Sequence, residues 1–298
     1  MTSTLRCLQV LDLLAAPPYS LALADIAAAL SIPPASAHRL ARTLCASGYA
    51  EQDAETRRYR LAGKALWAGA GYLRRSPVYQ AAFLPMQETA RAIEGLVHLG
   101  AIDGGWLLYL HTVGSPSALY LYADTGERRH LHSTGLGKAL LAFQPPAVLS
   151  RLLSKKFPRF TPQTITDPAA LRAELARIRA QGYAVDNEEG AAGLCCLAAP
   201  VFDQSNNAVA ALSVSAPAHV LTAAVRRRWL PVLLQAALRV SAQLGHRPAG
   251  GAAFLTAAAA APAPPAPDRS ARSSPAPARR YKTTAAGRDF PTPRPSKK

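Results

Sequence analysis

The segment SAHRLARTL sets Ser36, His38, Arg39, Arg42 and Thr43 among alanines and leucines, with no acid in the run. Placed at about 100° per residue, Ala37, Leu40, Ala41 and Leu44 fall on one apolar stripe, and the five polar residues gather with Ala35 on the opposite arc. Guanidinium groups presented beside small hydroxyls suit the edges of bases and the phosphates of a duplex. A merely solvated helix face is the plain alternative. A second pattern lies near the other end of the chain. Ser213 and Ser215 are two apart in AVAALSVSAP, so on a strand their hydroxyls share one face. Two such hydroxyls facing backbone amides can hold a carboxylate without a dedicated cation, with strand packing as the alternative.

Residue types for catalysis are also present: Cys195, Cys196, Glu188, Glu189, His130 and His132 could supply a nucleophile, a base and an orienting group. Yet LCCLAAPV is an apolar strand in which a thiol serves as a small hydrophobe. Zinc on His130, His132 and a cysteine would need the two histidines on one strand face; packed or solvated histidines are commoner. The expectation is therefore no catalytic residue, no metal and no cofactor. His98 and His111 sit on strands and are read as structural.

The elements that must position these groups follow from periodicity and punctuation. Leu5, Leu8, Leu11 and Leu14 mark a first helix, ended before Pro17 and Pro18; Leu23, Ile26, Ala27 and Leu30 mark a second. After the short Ser31-Ile32-Pro33 link comes the SAHRLARTL helix, with prolines in its first turn and Gly48 as its C-terminal cap. Two short helices, a tight turn and a third helix with a polar outer arc form a helix-turn-helix. YAEQ and RYRL, joined by DAETR, then predict a hairpin in which Tyr59 and Leu61 face inward and Arg58 and Arg60 outward. Such a hairpin is a wing, and Arg57 and Arg58 at its tip would reach phosphates or the minor groove.

GKALWAGAGYLRRSP reads as a linker helix and a dimer seam, and residues 78 to 95 as an amphipathic helix with Leu84, Ala90 and Ile93 inside. LVHLGAID and WLLYLHTV flank a Gly104-Gly105 turn as a hairpin, and SALYLYAD is a further strand. GLGKALLAF opens a helix whose first-turn amides could hold an anion. DPAALRAELARIRAQG has an Asp167 cap, a Leu171, Leu175, Ile178 stripe and a closing Gly182. YAVDNEE, LCCLAAPVFD and AVAALSVSAP are strands, and AVRRRWLPVLLQAALRVSAQLG closes the domain as a helix. The mixture predicts an α+β fold built on an antiparallel sheet.

The totals agree with two domains: 298 residues carry 34 Lys and Arg against 18 acids, a net charge of +16. That balance favours polyanionic partners, although residues 1 to 61 hold 6 Arg and 5 acids and the last 52 residues hold 10 Lys or Arg and 2 acids. Those last residues, 247–298, are rich in proline and alanine and are expected to be a disordered basic tail. Four cysteines in no zinc-like spacing suggest a reduced, cytoplasmic protein. Asp12 interrupts the N-terminal apolar run, which is not read as a signal peptide, and no membrane partner is expected.

Several separated blocks, SAHRLARTLCASGYAEQDAETRRYRL, LHSTGLGKALLAF, TITDPAALRAELARIRAQGYAVDNEE and GLCCLAAPVFDQSNNAVAALSVSAP, together resemble the IclR family of bacterial transcription regulators over roughly residues 4 to 245. The resemblance implies a winged helix-turn-helix (1–62), a linker helix (63–76) and a GAF-like α+β effector-binding domain (77–246). It further implies a homodimer or dimer of dimers on double-stranded operator DNA, controlled by a small organic acid. The family's effector cup, carried onto matching positions, is lined by Ala118 and Leu121 on one strand and by Arg129, Gly135 and Leu136 before and at a helix start. Asp186, Leu194, Cys196, Ser213 and Ser215 complete it from the remaining strands. The chain departs from the pattern at the wing, where Arg57 and Arg58 stand in place of a glycine, and at Leu61-Ala62-Gly63, where the expected glycine is displaced by one. The basic tail lies outside the family pattern.

Overall fold

The computed structural model describes residues 2–114, 125–153 and 157–247, and the chain divides between Arg75 and Ser76 into two compact units. The SALYLYAD strand, with Ala118 and Leu121, and the basic tail beyond Arg247 lie outside the described residues.

In the first unit, α1 (Ser3–Leu14), α2 (Leu23–Leu30) and α3 (Pro34–Ala46) are followed by β1 (Ala50–Gln52), β2 (Tyr59–Leu61) and α4 (Gly63–Arg75). The α3 stripe of Ala37, Leu40, Ala41 and Leu44 is buried against Val10, Leu14, Ile26 and Tyr59, as periodicity requires. Gly48, at φ +78°, closes α3: its N–H reaches the Cys45 carbonyl at 3.0 Å and the Tyr49 N–H reaches that of Leu44 at 2.9 Å. This is a Schellman motif, and only a residue tolerant of the left-handed region completes it cheaply.

Two of the leucines that mark α1 stand off its buried face. Leu5 and Leu8 are 48% and 53% exposed, while Cys7, Val10, Leu11 and Leu14 meet the other helices. The 7, 10, 11, 14 series is itself an i, i+3, i+4, i+7 stripe, and Leu5 and Leu8 are rotated off it by more than about 100°.

The wing is an antiparallel pair with Ala50 opposite Leu61 and Gln52 opposite Tyr59, and Leu21 extends it by a bridge to Tyr59. Asp53 organises the turn, its Oδ1 accepting from the Thr56 N–H and hydroxyl, both at 2.8 Å, and from the Glu55 N–H at 3.2 Å. Arg57 takes φ +57°, the conformation glycine would supply. Arg57→Gly is therefore expected to leave thermal stability unchanged or to raise it by up to about 1 kcal/mol, while lowering affinity for DNA at low salt by removing a tip cation. Calorimetry of the full chain and titration with a fluorescent duplex would check both halves. Arg58 does not face outward. Its guanidinium folds back onto Ser20, donating to the carbonyl at 2.9 Å and the hydroxyl at 3.3 Å, and lies 3.6 Å from Asp25.

The second unit begins with α5 (Pro77–Ile93) and β3 (Leu96–Asp103) paired to β4 (Trp106–Gly114). After β5 (Arg128–Arg129) come α6 (Gly135–Ala142), α7 (Pro146–Leu152) and α8 (Pro168–Gln181), then β6 (Ala184–Asn187), β7 (Leu194–Phe202), β8 (Ala208–Pro217) and α9 (Ala223–Gln243). The sheet is antiparallel in the order β5-β4-β3-β8-β7-β6. Helices α5 and α9 cover one face; α6 packs on the other, backed by α8. Leu84, expected inside α5, is 55% exposed, because Ala82, Met86, Thr89, Ala90 and Ile93 define the buried side and Leu84 lies on the opposite side of the helix, about 175° from its centre. Among the described residues no helix is long and apolar enough to cross a membrane.

Candidate nucleic-acid interface and effector cup

On α3 the arc opposite the buried stripe carries His38, Arg39, Arg42 and Thr43 exposed and Ser36 half-buried. The Thr43 hydroxyl donates to the Arg39 carbonyl at 2.9 Å, which holds its side chain against the helix. The guanidinium groups of Arg39 and Arg42 form no ion pair or hydrogen bond among the described residues. Two rigid five-donor forks thus stand one turn apart on an exposed surface without an internal acceptor.

In the second unit, antiparallel pairing sorts side chains into rows on the face covered by α6. Asp186 opposes Cys196, Cys196 opposes Ser215, and Ser215 opposes Leu96, so these four share one row. Ala198, Ser213, His98 and Thr112 form the next. Directly opposed residues project to the same side of a sheet. The Ser215 hydroxyl donates to Cys196 Sγ at 3.1 Å, and His98 Nδ1 and the Thr112 hydroxyl are 3.0 Å apart.

The start of α6 lies over the first row: a methyl built on Gly135 would stand 3.4 to 3.6 Å from the Cβ atoms of Ala198, Cys196 and Asp186. Thr134 caps this helix by accepting from the Gly137 N–H at 3.1 Å. Leu136 instead turns into the core beside Gly100 and Leu107, and Leu194 stands at the outer end of β7, half-buried. Arg129, on β5 opposite Leu107, pairs with Glu127 at 2.7 Å.

Burial pushes the Asp186 carboxyl up to about 7, with Glu189 adding to the rise. It pushes the Cys196 thiol up as well and holds His98 down at about 3, the Arg129 charge reinforcing the latter. A thiol kept protonated is a weaker nucleophile than a thiolate, and burial favours the protonated form at both Cys195 and Cys196.

Sequence reasoning missed the two rows' other members, His98 with Thr112, although their alternation along the β3–β4 hairpin carried the signal. It also placed His130 and His132 on one strand face. They lie instead in the turn between β5 and α6, His132 Nε2 3.0 Å from the Pro158 carbonyl and its ring stacked on Phe157. No group of three metal-ligating side chains occurs among the described residues. The environment of Glu189 was equally hidden: it pairs with Lys138 in the interior.

Comparison with known proteins gives a consistent picture. The family profile described as IclR helix-turn-helix domain matches residues 3–54, and that described as bacterial transcriptional regulator IclR C-terminal matches residues 70–242. The chain is 36% identical to the HTH-type transcriptional regulator BhcR of Paracoccus denitrificans over 247 residues, 83% of this chain and 88% of that one. It is 35% identical to the HTH-type transcriptional regulator KdgR of Escherichia coli over 210 residues, 70% and 80% of the two chains. Among solved structures, an IclR homolog of Microbacterium hydrocarbonoxydans complexed with 4-hydroxybenzoate superposes with a TM-score of 0.71 at 26% identity, covering 82% of this chain and 99% of the other.

Proposed function

This chain belongs to the IclR family of bacterial transcription regulators, and on that premise we propose how it reads DNA and what it senses. It is a DNA-binding regulator with a small-molecule effector, not an enzyme, as its relatives are regulators. The α3 arc, with Arg39 and Arg42 leading and Ser36, His38 and Thr43 supporting, enters the major groove. Arg57 positions the wing on the backbone, and Arg58 contributes through the wing's shape, since its guanidinium is engaged by Ser20. The observation that carries this reading is the division of α3 into a fully buried apolar stripe and an exposed cationic arc free of internal partners.

The working division is a head of 1–62, a linker helix of 63–76, an effector domain of 77–246 and a tail of 247–298. A homodimer fits the linker. Helix α4 buries none of its residues in the single chain, with Leu66, Trp67 and Tyr72 exposed by 77%, 67% and 57%; such a surface calls for a partner. Two recognition helices about 34 Å apart then require a roughly palindromic operator.

The effector is a small organic acid held in the cup of Asp186, Cys196, Ser213, Ser215, Arg129 and the Gly135 amide, with Leu194 at its edge. The 4-hydroxybenzoate bound by the Microbacterium relative supports an acid of aromatic type. With duplex DNA as partner, the protein works in the cytoplasm. Incubation with its own upstream DNA is expected to retard that fragment, and a small carboxylic acid is expected to alter the shift without being consumed. Turnover of the acid, or a shift no different from that of unrelated DNA, would refute the reading.

A further inference from the structure

The turn after β6 is tied to helix α6 by an ion pair to which the cup, as described, assigns no task. Lys138 lies inside the apolar run GLGKALLAF and is 0% exposed. A buried ammonium is tolerated only when its hydrogens are met, and here Nζ donates to the Val185 carbonyl at 2.7 Å, to Glu189 at 2.5 Å and to Glu174 of α8 at 3.3 Å. Glu189 gives its backbone N–H to Asp186 Oδ1 at 2.9 Å, and its carbonyl accepts from the Thr164 hydroxyl at 2.7 Å. Its Oε2 is buried without a hydrogen-bond partner among the described residues, and Lys138 is the cation that balances the carboxylate. A single chain of contacts therefore runs from α6 through Lys138 and Glu189 to Asp186.

Resting on the effector reading above, we propose that Lys138 and Glu189 are a positioning pair that fixes the Asp186 carboxyl in the cup, so that it meets a monoanionic carboxylate ligand as a hydrogen-bond donor. The charge inventory explains why. Around Asp186 stand Glu189 from its own turn, Lys138 from α6, Cys195 and Cys196 from β7 and Tyr109 from β4, with the Arg129 charge of β5 acting on Tyr109 and Cys196.

Ionised Asp186 would set a second buried carboxylate beside Glu189, whose ion-pair partner Lys138 is already shared with Glu174, and like charges so placed oppose each other's ionisation. Burial pushes the carboxyl up to about 7; the backbone N–H groups of Glu189 and Gly190 and the Lys138 charge oppose the rise, and the Glu189 charge adds to it. A protonated carboxyl donates where a carboxylate would repel an anion. The Ser213 and Ser215 hydroxyls share that face and complete a neutral donor set.

The test is a carboxyl-carbon NMR titration of the ligand-free full chain labelled at aspartate, with Asp186→Asn assigning the resonance. The wild-type midpoint is expected near 7. Glu189→Gln leaves Lys138 bonded to the Val185 carbonyl and Glu174, and is expected to lower the midpoint toward the ordinary carboxylate range. Adding Lys138→Met removes the cation that favours the anion, and is expected to bring the midpoint back up.

A purely structural role predicts the opposite order, because each variant would loosen the turn, admit water and lower the midpoint further. A wild-type midpoint in the ordinary range, an unmoved Glu189→Gln midpoint, or a double variant below the single would each overturn the proposal. The titration involves no ligand, so it can fail while the effector site stands. The site fails separately if a Ser215→Trp protein still answers the acid in the DNA-shift assay.

Discussion

Replacing Arg39 and Arg42 together by alanine is expected to weaken operator binding by about thirtyfold or more while leaving the protein folded and its response to effector intact. Each bidentate contact to a base edge contributes about 1–3 kcal/mol, and both side chains are exposed and free of internal partners among the described residues, so their loss disturbs no packing. The salt dependence separates the two kinds of contact. If both arginines hold phosphates, the slope of log affinity against log salt falls by about 2. If they read bases, the slope stays and discrimination between operator and unrelated DNA collapses. Fluorescence anisotropy across a salt series measures both, and an unchanged affinity would remove α3 from the interface.

Gly137→Ala is expected to unfold the second unit at ordinary temperature. A methyl there would lie 2.2 Å from the Leu131 carbonyl oxygen and 2.5 Å from its Cα. Both are backbone atoms, so no side chain can swing aside, and the turn that carries His130 and His132 would have to separate from α6. Because α6 is buried along its whole length against the sheet, that separation would open the core, at a cost above about 4 kcal/mol. Gly135→Ala is the informative comparison: its methyl meets only Cβ atoms at ordinary contact distance, so the fold should survive with a narrower cup. Calorimetry and dye binding to exposed apolar surface would distinguish the two, and a cooperative Gly137→Ala transition near that of wild type would contradict the close approach.

Local patterns carried much of this architecture. The α3 stripe, the Asp167 cap, the Leu171, Leu175, Ile178 series and the glycine ends of α3 and α8 follow from the 3.6-residue period and from capping chemistry that acts within a few residues. The winged head was legible because each of its elements carries its own punctuation. Helix α7 was not, since PAVLSRL is too short to show a period. Leu5, Leu8 and Leu84 misled because apolar residues elsewhere on the same helices claimed the buried side.

The sequence by itself determined most of the helices and strands, and that Ser213 and Ser215 share a face, because those are consequences of backbone geometry over a turn or two. Only the tertiary structure decided that Arg58 folds back onto Ser20, that His98 joins the serine row, and that Lys138 and Glu189 meet inside the protein. Those pairings join residues tens of positions apart, and which of them forms depends on strand register and on the burial cost of charge, quantities that exist only once the sheet has assembled.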